Sequence, residues 1–325
     1  MSANQEPFEL NFYKWEKEFK DKPYLRQPIG ETWEEYTWGQ VGDMARRLAS
    51  GLKSLNLREG AHIGIYSKNC REWIISDLAI VMAGYVSVPF FPSLNGKELA
   101  YIMDYGDVDA LFLGKIETWD DIKNDLPKDM PMITFPNYAG CSSVDVGHKW
   151  HEFIDKHEPL TNPHNPKLSD LWTIIFTSGT TGNPKGVMLN YQAIDGIKVV
   201  LDDPNNPLGI KHDGNNEFIS YLPLNHIFER VVIEWTSFRY GGTISFVESI
   251  EKFGQNLKDV QPHVFAAAPR VWTKLQMGIL SKFPQKTLDT LLKIPLLSGL
   301  LKKLLKKGLG FSKSRVTVSL SLIHI

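Results

Sequence analysis

The sequence predicts an α/β fold of largely parallel sheets flanked by helices. Short apolar runs alternate with helical stretches of about ten to fifteen residues, the pattern of parallel strands joined by crossovers. Hydrophobic residues make up 42% of the 325 and aromatics 11%, enough to bury a sizeable core and too many for a disordered chain. The length suits two domains or one large one, with no internal repeat or low-complexity segment to divide it.

Each element follows from local signals. Thr37 with Gln40 three residues on reads as a capping box, and Val41, Met44, Leu48, Leu52 and Leu55 recur behind it at helical spacing. Gly60 ends that helix, and residues 62–66 read as a short buried strand. Residues 70–83 look helical again and stop at Gly84. Residues 85–91 are strand-like, and Pro89 and Pro92 push them towards a sheet edge. A helix over 97–105 leads to a strand over 110–113. Residues 140–170, with Pro159, Pro163 and Pro166, read as a surface connection. Then come a buried strand over 171–176, a glycine-rich loop, a strand over 187–189 and a helix capped by Asn190 that runs to about Leu201. Strands follow over 218–222, 243–247 and 264–267, with helices over 228–240 and 253–260 between them.

Composition narrows the function classes. The 36 basic and 37 acidic residues leave a net charge of −1, which gives no reason to expect a nucleic-acid partner. Two cysteines, Cys70 and Cys141, cannot frame a chain of this length, so a reducing, cytoplasmic compartment is the expectation. Residues 1–10 are polar and acidic, without the apolar core of a signal peptide. No run of about 18 apolar residues predicts a membrane span. Nothing in the sequence indicates an oligomeric state.

The segment Thr177-Ser-Gly-Thr-Thr-Gly-Asn-Pro-Lys-Gly186 carries the chemistry. Four hydroxyl side chains, three glycines and one lysine fall within ten residues. Glycine lets backbone N–H groups turn inward and approach an anion closely. The hydroxyls can donate to phosphate oxygens, and Lys185 brings a positive charge. A polyphosphate cradle is the physical reading, against the plainer one of an ordinary polar turn. Pro184 stands where a Walker A loop requires glycine. A strand, not a helix, follows the glycines, so this is no dinucleotide fingerprint either. The loop joins two strands as a hairpin.

This string resembles the phosphate-binding loop of the AMP-forming, adenylate-forming ligases, where it holds the β- and γ-phosphates of ATP. Three further stretches resemble the long-chain acyl-CoA synthetase branch of that family. The first is Asn69-Cys-Arg-Glu-Trp73 with Asp77-Leu-Ala79 and Val86-Ser-Val-Pro89. The second is Pro223-Leu-Asn-His-Ile-Phe-Glu-Arg230, and the third Ala266-Ala-Ala-Pro-Arg-Val-Trp-Thr-Lys274. They fall in the family's order between about residues 10 and 319.

The resemblance implies a large N-terminal adenylation domain over residues 1–319 and a long-chain fatty acid–CoA ligase reaction in two steps. A fatty acid and ATP give an acyl-adenylate and pyrophosphate; coenzyme A then takes the acyl group and releases AMP. ATP, coenzyme A and Mg²⁺ are the implied co-substrates and cofactor, with no metal-ligating residue assigned. The implied nucleotide-binding residues are Thr177, Ser178, Gly179, Thr180, Thr181, Gly182 and Lys185. His226 is the implied catalytic residue, beside the acyl carboxylate, where a lone histidine would otherwise read as surface or core. Phe228 and Trp235, with Phe238, are implied to wall an acyl tunnel; an ordinary apolar helix face is the alternative. Glu229 and Arg230 either pair locally or orient the site. Arg270 reads as a structural cap or ion-pair residue, and Thr273 departs from the glutamate often found there in the family.

Residues 288–305 are leucine-rich with interspersed lysines, continuing to Lys306 and Lys307, and Pro295 and Gly299 are expected to break their first half. They read either as a scaffold helix or as a basic amphipathic surface for peripheral membrane contact. By the resemblance the family's chain is longer. Its adenine and ribose motifs, hinge and small C-terminal lid domain have no counterpart here. Residues 320–325 match nothing in the family and read as a non-native tail, a translated sequencing adapter. A truncated chain with little ligase activity of its own is the expectation. The alternatives are an adenylating ligase for a medium-chain or aryl acid, or one with a carrier-protein acceptor, or a nucleotide- or acyl-binding fragment without turnover.

Overall fold

The computed structural model describes residues 10–177, 184–203 and 205–319. Helix α1 (Leu10–Glu18) comes first, then a hairpin of β1 (Pro23–Ile29) and β2 (Thr32–Thr37) that local pattern does not signal. The expected capping box forms: the Gln40 N–H donates to Thr37 Oγ1 at 3.2 Å and the Thr37 N–H to Gln40 Oε1 at 2.8 Å. It opens α2 (Trp38–Ser54), which buries Val41, Leu48 and Leu52 and half-buries Met44.

Strands and helices then alternate as expected through β3 (His62–Ser67), α3 (Arg71–Ala83), β4 (Val86–Phe90), α4 (Gly96–Tyr105) and β5 (Val108–Gly114). The stretch over 140–170 is more than a surface connection. After α5 (Trp119–Ile122) and β6 (Met132–Thr134) it contributes β7 (His148–Lys149) and α6 (Trp150–Asp155). Trp150, Phe153 and Ile154 are buried, and the Trp150 ring stands edge-on to Phe135 at 5.1 Å. The three prolines all follow α6, so they leave that apolar turn intact.

Strands β8 (Leu171–Thr177) and β9 (Lys185–Asn190) pair antiparallel, the expected hairpin. They complete a seven-stranded sheet of order β7-β6-β5-β3-β4-β8-β9, parallel except at that last pair. The expected edge position of β4 is overturned: it lies inside the sheet. Only Ser87 with Thr173 pairs it to β8, so that ladder asks little of Pro89 and its missing N–H. Asn190 accepts from the Ala193 N–H at 2.9 Å and caps α7 (Tyr191–Asp195). The chain breaks at 196–197 before α8 (Lys198–Leu201), so two short helices replace the single one expected.

After β10 (Glu217–Ser220), the helix expected over 228–240 is assembled from α9 (Ile227–Glu229), a π-helical turn over Arg230–Trp235 and α10 (Thr236–Tyr240). β11 (Thr243–Phe246), α11 (Phe253–Val260) and β12 (Val264–Ala267) follow. A second sheet has the order β10-β11-β1-β2, parallel but for the β1–β2 hairpin. Beyond α12 (Pro269–Leu280), α13 (Gln285–Lys293) and α14 (Pro295–Leu309), β13 (Val316–Ser319) pairs parallel with β12. Pro295 separates α13 from α14, sitting in the first turn of α14 where a helix has no use for its N–H. Gly299 breaks nothing; it lies within α14.

The main core lies between the two larger sheets. Ile63, Ile65 and Trp172 from one meet Leu25, Phe218 and Ile244 from the other in a single cluster. Helix α3 is buried along its whole length in this layer, and from Trp73 on its sequence is apolar on every side but for Ser76 and Asp77.

Candidate functional site

The parallel strands of both large sheets run out into one seam. β3 and β5 end at Ser67 and Gly114; β10 and β11 end at Ser220 and Phe246. In open α/β sheets ligands bind outside such carboxyl ends. Asn69, in the loop after β3, closes the seam with its carboxamide. Its Nδ2 donates to Ser220 Oγ at 2.8 Å and to the Leu222 carbonyl at 2.6 Å, and its Oδ1 accepts from the Leu224 N–H at 3.0 Å. The buried Lys115 adds a second tie, its Nζ donating to the carbonyls of Asn69 at 2.7 Å and Val247 at 3.3 Å. Burial lowers the Lys115 pKa.

This seam fixes the segment that carries His226. The His226 N–H donates to the Pro223 carbonyl at 2.9 Å, and His226 Nδ1 accepts from the Phe228 N–H at 3.2 Å, capping α9. A ring nitrogen that accepts carries no proton, so the neutral tautomer here holds its proton on Nε2. His226 is exposed, and the burial of part of its ring lowers its pKa, which favours the neutral form near pH 7.

Glu229 and Arg230 do not pair with each other. The fully buried Glu229 accepts from Ser220 Oγ and the Tyr221 N–H, each at 3.0 Å, and burial pushes its carboxyl up to about 8. Arg230 turns the other way, into the core, at 0% exposure. Its guanidinium bonds Asp77 of α3, Glu234 at 3.1 Å and Thr173 Oγ1 of β8 at 2.8 Å, and lies 3.9 Å from the centre of the Trp172 ring. Burial, with Asp77 beside it, holds Glu234 well above the usual carboxylate range. Arg230 is thus the cation set between two buried carboxyl groups, Asp77 and Glu234. The π-helical turn begins at Arg230, and Glu234, four residues on, lies on the same side of it.

The bond to Thr173 joins this helix to the strand that leads into the glycine-rich loop. Four residues on, Thr177 ends β8 opposite Lys185 of β9, and both side chains are exposed. Ser178, Gly179, Thr180, Thr181 and Gly182 lie outside the described residues. Phe228 is half-buried, whereas Trp235 and Phe238 belong to the core at 0% and 1% exposure, Phe238 meeting Phe12 edge-on at 6.0 Å. Arg270 and Thr273 sit in the first turns of α12, where Thr273 Oγ1 bonds the Pro269 carbonyl at 3.1 Å. The tail over 320–325 also lies outside the described residues.

Sequence reasoning gave no role to Asn69, Asp77, Lys115 or Glu234. A signal existed for two of them: Asp77 is an acid within an otherwise apolar helical run, and Arg230 and Glu234 stand at ion-pairing spacing. Among the described residues, no group of three or more His, Cys, Asp or Glu side chains could hold a metal ion. Among them also, no helix is long and apolar enough to cross a membrane.

Comparison with known proteins places this geometry. A family model described as AMP-binding enzyme matches residues 12–314. Long chain acyl-CoA synthetase 5 of Arabidopsis thaliana is 31% identical over 266 residues, 76% of this chain and 38% of that protein. The anthranilate CoA ligase AuaEII, solved with anthranoyl-AMP, superposes with a TM-score of 0.70 at 19% identity, over 82% of this chain and 51% of that one. The adenylation domain of a carboxylate reductase from Mycobacterium chelonae superposes at 0.75 with 14% identity, over 98% of this chain and 54% of that one. The chain thus spans well under half the length of the plant relative, and its fold is that of the N-terminal part of adenylate-forming enzymes.

Proposed function

The chain belongs to the AMP-binding enzyme family, and on that premise we propose that the protein carrying it is a long-chain fatty acid–CoA ligase. In the first step a carboxylate oxygen of the acid attacks the α-phosphorus of ATP, the bond to the bridging oxygen breaks, and pyrophosphate leaves an acyl-adenylate. In the second step the coenzyme A thiolate attacks the acyl carbonyl carbon and AMP departs. Both partners of the first step are anions, so the site's task is to spread and neutralise negative charge.

One observation carries the reading: Arg230 ties the segment of His226 to the strand of the glycine-rich loop through Thr173. In this proposal Thr177, Ser178, Gly179, Thr180, Thr181 and Gly182 donate hydroxyl and main-chain hydrogens to the β- and γ-phosphates, and Lys185 supplies charge. The Nε2–H of His226 donates to an oxygen of the acid and of the developing adenylate. Phe228 offers its open side to the acyl chain, and Trp235 lies buried further along the same helical segment. ATP chemistry of this kind uses Mg²⁺; the described residues form no carboxylate cluster for it, so no step is drawn through the metal.

The long-chain preference is supported by the names of the plant relatives and by the stretch from Pro223 to Arg230. The solved neighbours include anthranilate and benzoate CoA ligases, which makes an aryl acid the second reading. ATP–pyrophosphate exchange on the gene product carrying this chain separates them. Exchange driven by hexadecanoate or octadecanoate is the expected result. Exchange with benzoate alone would reject the acyl preference, and exchange with no acid would reject adenylation.

A further inference from the structure

The hairpin of α13 and α14 exposes apolar side chains that the rest of the described fold does not cover. Leu296, Leu300 and Leu304 follow one another at four-residue spacing along α14, at 88%, 58% and 59% exposure. Such spacing puts them in one row on the helix surface. The inward face is a different one, carried by Ser298 and Leu301, with Leu305 half-buried. The helix therefore has a second, apolar face, and among the described residues nothing covers it. A contiguous exposed apolar row of that kind marks an interaction surface.

The charge around the row says what suits it. Lys303 and Lys307 follow Leu300 and Leu304 by three residues, which places them on the neighbouring row, and Lys302 and Lys306 continue the positive flank. All four are exposed, and among the described residues none of them forms an ion pair. From residue 281 to 319 there are nine basic residues and a single acid, Asp289, in a chain whose net charge is −1. A leucine row flanked by unpaired lysines fits a partner that is anionic at its surface and apolar just beneath it.

We propose that α14 lies on an anionic lipid surface, its leucine row entering the headgroup boundary while the lysine stems snorkel to phosphate. Apolar burial and charge act together in this mode of binding, so loss of either weakens it. The proposal rests on the hairpin alone and is independent of the assigned reaction.

Flotation of the 325-residue chain with phosphatidylcholine vesicles, with and without phosphatidylglycerol, tests it. The expected result is co-flotation only with the anionic vesicles, reversed by high salt. Changing Lys302, Lys303, Lys306 and Lys307 together to glutamine is expected to weaken partitioning on the order of a hundredfold or more. A second variant, Leu296→Ser with Leu300→Ser and Leu304→Ser, is expected to abolish flotation while leaving circular dichroism and melting unchanged, since all three side chains are exposed. Absence of flotation by the unaltered chain overturns the proposal, as does undiminished binding by either variant. Self-association that the serine variant abolishes, without vesicle binding, would assign the row to a second copy and likewise overturn it.

Discussion

At Glu229 the fold holds a carboxyl group out of water with a hydroxyl and a main-chain N–H as donors, and burial pushes it up to about 8 from an ordinary 4.5. Between those two values the unfolded chain has lost the proton and the folded chain has kept it. The native state binds more protons there, so stability falls as pH rises, by about 1.4 kcal/mol per pH unit. Below the lower value both states are protonated, and above the upper one both are ionised, so the loss is confined to that window. Across it the total reaches about 5 kcal/mol, comparable with the whole stability of many domains. Glu229→Gln keeps the shape and the acceptor oxygen but has no proton to exchange. Urea unfolding of both proteins at a series of pH values from about 5 to 8 measures the difference. The variant is expected to gain on the parent steadily with pH, by roughly a factor of ten in the unfolding constant for each unit. Parallel stability curves would refute the claim that this carboxyl is held protonated in the fold.

Four other outcomes follow from the geometry. Arg230→Met removes the one cation paired with Asp77 among the described residues and is expected to cost about 3–5 kcal/mol in thermal or urea unfolding, with Arg230→Lys recovering little because one ammonium cannot reach three acceptors on different elements. His226→Ala is expected to lower ATP–pyrophosphate exchange by about a hundredfold while costing only about 1 kcal/mol in unfolding, the loss of the α9 cap at an exposed position. In the unaltered protein the exchange rate is expected to fall on the acid side of a midpoint below about 6.5, where Nδ1 gains a proton and can no longer accept from Phe228. A maleimide is expected to label Cys141 in the native protein but Cys70 only on unfolding. Cys70 is fully buried with its thiol pushed up to about 12, whereas Cys141 is half-exposed; equal labelling rates by mass spectrometry would contradict that burial.

Local chemistry made much of this fold legible. The capping box at Thr37, the cap at Asn190 and the antiparallel pairing of β8 with β9 are decided by residues within a few positions of each other, and they stand where the sequence puts them. The β1–β2 hairpin was not legible, because its partner β11 lies more than two hundred residues away and its own strand β2 buries none of its side chains. Pro89 misled for the same reason: whether a proline is tolerated depends on how tightly the next strand is bonded, which is a tertiary fact. Within the candidate site the loop residues and His226 stood out by type and pattern. The groups around them did not, since Arg230 and Asp77 are 153 positions apart and a π-helical turn has no sequence signal as plain as a proline or a cap.

The carboxamide of Asn69 has a polarity, and the seam inherits it. With the amide as it stands, two donated hydrogens meet oxygens and one oxygen meets an N–H. Rotated by half a turn, the same group would face oxygen with oxygen and hydrogen with hydrogen at every contact. No sliding of one layer over the other keeps all three bonds, so they favour a single register of the two layers. The rim on which His226 stands is thereby located by a lock of three bonds rather than by the flexibility of its own loop.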